Sequence, residues 1–188
     1  MQARARAAGH AMHPVLMVFP LGLLSTAVIF DVLFFVTDDQ RYATAAFFAI
    51  AAGVVGGVVA SAAGILDWTK IPKGTRARRL GLLHGVGNEI VLVLFVVSWL
   101  VRRAEEGAHE PGVVAFLLAL AAIALAGVTG WMGSELVERL GIGVHPGAHA
   151  DAPSSLRTDV IDLRTSPLAA ATDSPPPKAG APRWEAKP

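Results

Sequence analysis

The chain has six histidines and no cysteine among its 188 residues. A metal site would therefore be built from imidazole, carboxylate, thioether or backbone oxygen, and thiolate ligands, disulfides and cysteine nucleophiles are excluded. Two histidines are set apart by position. His13 opens a long apolar stretch within Gly9-His10-Ala11-Met12-His13-Pro14, and His84 lies just inside another, with Asn88 one helical turn beyond it. Neutral imidazoles on facing helices are suitable ligands for a metal ion, or for both axial positions of a haem iron. His10 joins His13 on one face if the helix begins early, and Met17 lies one turn past His13. Asp67 and Asn88 are placed to orient an imidazole from behind, with Glu135 at the same level. The spacing thus points to haem b, or alternatively a single metal ion, held by His13 and His84. The plainer reading is an interfacial histidine that bonds a backbone carbonyl. His109, His145 and His149 fall in polar or glycine-rich connections and read as solvated.

Two carboxylates stand where charge is costly. Asp31 and Glu89 are the only formal charges inside the apolar stretches, and intramembrane ionisable groups are functional candidates by default. Both are proton-relay candidates. Asp31 lies near the far end of its stretch, where snorkelling or a hydrogen bond would also account for it. Glu89 is deeper.

The elements that position these residues follow from hydropathy. Hydrophobic residues make up 53% of the chain and charged ones 16%, against about 25% charged in an ordinary soluble domain. The apolar residues come in four blocks, 14–36, 43–66, 80–101 and 112–133. Each is long enough to cross a hydrocarbon core of about 30 Å as a helix. The short connections between them predict an all-α membrane protein, a four-transmembrane-helix up-down bundle. Pro14 suits a helix start, and Pro20 should kink or loosen the first span. Lys70, Lys73, Arg76, Arg78 and Arg79 in the middle loop, with Arg4 and Arg6 before the first span, predict cytoplasmic termini and a multi-pass plasma-membrane protein. Arg102 and Arg103 are counted in the loop on the other side. Residues 151–188, rich in proline, serine and alanine, read as a disordered cytoplasmic tail.

Helices in lipid associate through small residues and polar contacts. The second span supplies Ala49, Gly53, Gly57 and Ser61 at every fourth position, a face suited either to packing within the chain or to a homo-oligomer. Gly81 and Gly85 in the third span would let a flat cofactor approach. A bulky residue at Gly57 should damage the bundle.

Gly9-His10-x-x-His13-Pro14, Phe19-Pro20-x-Gly22, Asp31, Gly64-x-x-Asp67, His84-x-x-x-Asn88, Gly130-Trp131-x-Gly133-x-x-Leu136-Val137 and Gly141-Ile142-Gly143-Val144 occur in that order. Over about residues 9–145 the chain resembles a bacterial DUF family of four-helix membrane proteins of unknown function. Members of that family are sometimes fused to Rieske iron–sulfur domains, so the resemblance implies electron transfer; this chain has no Rieske cysteines and would need a separate redox partner protein or a quinone. The net charge of +1 and the absence of a basic run exclude a nucleic-acid partner, leaving the lipid bilayer as the main surroundings. With no nucleophile elbow, phosphate-binding loop or zinc-protease motif, an enzyme is not expected. Three readings remain open: a haem or metal electron-transfer subunit, a small proton or cation transporter using Glu89 and the histidines, and a structural subunit with no site.

Overall fold

Four long helices follow a short hairpin at the N-terminus. A computed structural model describes residues 3–103, 109–152, 154 and 155, without the Arg103 side chain. The helices are α1 (Met12–Thr37), α2 (Gln40–Trp68), α3 (Arg76–Arg103) and α4 (Val113–Glu138). All four are long and apolar enough to cross a membrane. Met1–Ala152 forms one compact unit. The tail expected over 151–188 lies outside the described residues, apart from 151, 152, 154 and 155.

Local chemistry sets the boundaries. Pro14 occupies the first turn of α1, where its missing N–H costs nothing. Asp38 ends α1 in the left-handed region (φ 56°) and donates its backbone N–H to the Phe34 carbonyl. Asp39 then caps α2 by accepting the Arg41 backbone N–H at 3.0 Å. At the other end of α2, the Arg78 guanidinium lies 4.0 Å above the Trp68 ring and donates to the Trp68 and Ile71 carbonyls. The Trp68 indole N–H donates to Arg78 O, so the turn between α2 and α3 is locked from both sides.

The helices pack in a ring: α1 on α2, α2 on α3 and α3 on α4, with α1 and α4 touching only lightly. Leu24, Ala27, Ile50, Leu92, Phe95, Ala119 and Ala122 fill the centre. The small residues of α2 face inward and admit side chains from two helices. A Cβ on Gly53 would stand 2.7 Å from Leu24, and one on Gly57 would stand 2.5 Å from Leu92. Large apolar side chains such as Val18, Val93 and Leu117 cover the outside, as a surface facing lipid requires.

The two helical hairpins repeat one another. Buried Leu24, Ala27 and Asp31 of α1 correspond, with a constant offset, to buried Phe95, Ser98 and Arg102 of α3. Buried Ala46, Ile50 and Ala60 of α2 correspond in the same way to Ala115, Ala119 and Thr129 of α4. Because α1 and α3 run in one direction and α2 and α4 in the other, an approximate two-fold axis along the bundle relates the halves, the parallel-repeat arrangement of membrane proteins. The repeat is imperfect at the lightly packed seam between α1 and α4.

Two sequence expectations change here. Arg102, assigned to a loop, lies in α3 and is fully buried. Asp31 does not snorkel: it is also fully buried and is paired with Arg102.

Candidate functional site

His13 and His84 meet near the end of the bundle that carries the middle loop. Their ring centroids are 6.2 Å apart with the planes at 86°. Each imidazole is held by the same device. His13 donates from Nδ1 to the Ala60 carbonyl of α2 at 2.8 Å, and four residues on is Gly64, where a Cβ would stand 2.9 Å from that nitrogen. His84 donates from Nδ1 to the Thr129 carbonyl of α4 at 2.8 Å, and four residues on is Gly133, where a Cβ would stand 3.1 Å from the ring. The glycine lets the ring lie against the helix, and the carbonyl one turn earlier takes its proton.

A carbonyl only accepts, so Nδ1–H is the tautomer at both rings and each Nε2 is left with a lone pair. The Asn88 amide N–H donates to the His84 Nε2 at 3.1 Å. The Thr129 hydroxyl donates to Asn88 Oδ1 at 2.8 Å, which fixes the amide. Asn88 is therefore where the spacing placed it, against His84.

Met17 and Asn88 occupy equivalent positions in the two halves, one turn beyond their histidines, and both line a cavity of about 40 Å3 between the four helices. Ser61, Gly57, Leu92 and Ala126 also line it. The volume suits a water molecule or two, or a small ion with a water.

Other expected members lie elsewhere. His10 is not on the helix: it is an exposed residue of strand β2 (His10–Ala11), which pairs with β1 (Arg6–Ala7), and its Nδ1 lies 3.1 Å from Ala8 O. Ala8 and Gly9 both have positive φ, giving a two-residue hairpin turn that turns the chain before the helix begins. Asp67 does not orient an imidazole. Its Oδ1 accepts the backbone N–H groups of Arg4 (2.6 Å) and Ala5 (2.9 Å), fastening that hairpin to the end of α2. Glu135 pairs with Arg76 at 2.7 Å. Gly81 does not open a slot for a flat cofactor, because Trp68 and Ile71 fill the space beside it. The cavity beside the pair, at about 40 Å3, is far smaller than a haem macrocycle. Glu89 is exposed on the outer face of α3, directed away from the pair.

Among the described residues no three His, Asp, Cys or Glu side chains form a metal-binding group. The elements that sequence reasoning missed are the two carbonyl–glycine seats at Ala60/Gly64 and Thr129/Gly133. Their signal was present as a glycine near the same end of both α2 and α4.

A family model described as a predicted membrane protein, DUF2231, matches residues 9–146. No curated protein and no solved structure matches the chain.

Proposed function

The chain belongs to the DUF2231 family of predicted membrane proteins, and from that premise we propose that it is an electron-transfer subunit whose redox centre is a single metal ion held by His13 and His84. The observation that carries this reading is the pair of imidazoles on separate helices, each with Nδ1–H bonded to a carbonyl, which leaves the Nε2 lone pair as the ligating atom, that of His84 accepting from Asn88 in this structure. That is how protein-bound metals have their histidines oriented. With a metal–nitrogen bond of about 2.0–2.1 Å and the ring's own reach added on each side, two imidazoles across one ion have centroids roughly 6 Å apart. The observed 6.2 Å matches that spacing.

Met17 and Asn88 would supply a thioether and an amide oxygen beside the histidines, and the soft sulfur favours copper over harder ions. Asn88 would have to turn its amide away from the His84 Nε2. Such an ion would supply a one-electron couple. The natural exchange is with a quinol, which releases two electrons and two protons on becoming a quinone, the electrons leaving singly for a redox protein. Positive-inside charge at the middle loop puts the pair on the cytoplasmic side in this reading.

The test is metal content and visible or electron-spin spectra of detergent-purified protein supplied with copper, with His13→Ala and His84→Ala beside it. About one ion per chain, lost in both variants, is expected; equal metal in all three would refute the site. Haem b is the second reading, favoured by the same ring separation. A Soret band that vanishes with either histidine would establish it and would require the helices around the 40 Å3 cavity to part.

A further inference from the structure

Among the described residues, Glu89 is the one carboxylate in the interior of a span that the bundle does not pair. It lies thirteen residues after Arg76 and fourteen before Arg103, so it is about 20 Å from either end of α3. The side chain is exposed on the outer face, in line with exposed Leu82, Val86, Val93 and Leu100. It has no hydrogen-bond or ion-pair partner among the described residues. The equivalent position in the other half of the repeat is Val18, 72% exposed. The architecture therefore accepts an apolar residue at this place, and the carboxyl needs another reason.

Lipid tails offer a carboxyl nothing to bond, and the penalty for leaving one at that depth is a few kcal/mol on insertion scales. A polar partner must come from another protein helix. A second copy of this chain, inserted in the same orientation, brings an identical carboxyl to the identical depth, which no unrelated helix does by necessity. A symmetric pair also places residue against like residue at its axis. Two facing carboxyls bond one another when at least one carries its proton. Gly85, one turn away, has nothing within 4 Å of where its Cβ would be, so a neighbouring helix is free to come close there. We propose that α3 is the contact face of a homodimer in which the two Glu89 side chains hydrogen-bond across the symmetry axis.

The natural chain has no cysteine, so crosslinking starts from a clean background. Val93→Cys places a thiol one turn from Glu89 on the same face, and Val18→Cys places one at the equivalent position of α1. In native membranes treated with a lipid-soluble oxidant, Val93→Cys should give a disulfide-linked dimer and Val18→Cys should not. Adding Glu89→Leu should lower the crosslinked fraction about three- to tenfold, the range for an interhelical polar contact. Glu89→Gln, which still donates and accepts, should retain it. Thermal unfolding of each variant checks that the bundle is intact. Equal crosslinking at Val93 and Val18, or a dimer indifferent to Glu89→Leu, would overturn the proposal. So would a Glu89→Gln chain as monomeric as the leucine variant, or a monomer in which Glu89 is labelled freely by a hydrophobic carbodiimide.

Discussion

Asp31 and Arg102 form a two-pronged ion pair with both side chains fully buried, the guanidinium nitrogens 2.5 and 2.6 Å from the two carboxylate oxygens. The pair joins α1 to α3 across the diagonal of the ring. Eighteen residues separate Asp31 from His13, and eighteen separate Arg102 from His84. That interval is five helical turns, so each helix presents both of its polar residues on one face, about 27 Å apart along the axis. Near one end the charges tie α1 to α3 across the diagonal; near the other the imidazoles meet on that diagonal, and each is bonded to the neighbouring helix, His13 to α2 and His84 to α4. Ser98 completes the charged end, accepting from Arg102 at 3.2 Å while donating to Ala115 O at 2.7 Å.

Removing one member of this pair should cost far more than removing both. Asp31→Asn or Arg102→Met leaves a buried charge uncompensated and should destabilise the bundle by about 3–5 kcal/mol. The double variant Asp31→Leu/Arg102→Leu should recover most of that loss. Unfolding in detergent with increasing denaturant measures all three, and additive single and double effects would count against the pairing.

The glycine seats predict a sharp contrast among conservative changes. Gly64→Ala and Gly133→Ala push a methyl into an imidazole, and overpacking of this kind costs about 1–3 kcal/mol. Gly130→Ala meets open space and should be neutral or slightly stabilising, since alanine is the better helix former. Melting temperatures of the three variants suffice, and a destabilised Gly130→Ala chain would show that the outer face of α4 is covered by something.

How much of this was legible beforehand depends on what each residue's neighbours signalled. The four spans announced themselves because apolar blocks of that length have few other uses. His13 and His84 could be paired from depth alone, each lying a few residues beyond the arginine that precedes its span, Arg6 and Arg79. Arg102 could not be read. It borders Arg103 and the acidic stretch that follows, so charge counting put it in water, and only the five-turn match to His84 marks it as an inward-facing residue. Asp67 was misread for a related reason: its partners are the backbone amides of Arg4 and Ala5, just before the hairpin, and amides leave no mark in side-chain chemistry.

That hairpin supplies a further expectation. Asp67→Ala should free the Arg4 and Ala5 amides, and hydrogen bonds to a carboxylate are worth about 1.5–3 kcal/mol each. Hydrogen exchange at those two amides should accelerate strongly while the helical core stays protected. Asp67→Asn, which keeps an acceptor oxygen, should fall between the two.

Strong acid should loosen the turn between α1 and α2. The Arg41 side chain and backbone N–H hold the Asp39 carboxyl at about 2, below its ordinary 3.8. A depressed carboxyl contributes its stabilisation fully above its unfolded value and loses it as the pH falls through the folded one. The Asp39 contribution should therefore be constant from neutrality to about pH 4 and disappear between there and about pH 2. Asp39→Asn should flatten that part of the acid profile, and a side-chain titration followed by NMR would locate the midpoint.

The charged diagonal also imposes an order on biosynthesis. Arg102 follows Asp31 by 71 residues, and at about 5–20 residues per second a ribosome needs roughly 4–14 s to supply it. Throughout that interval the first helix carries an unpaired carboxyl, and a nascent chain halted after the second helix would carry it permanently. Quality-control proteases that recognise unpaired intramembrane polar groups would find Asp31 in the half-made protein and not in the finished one, where Arg102 covers it.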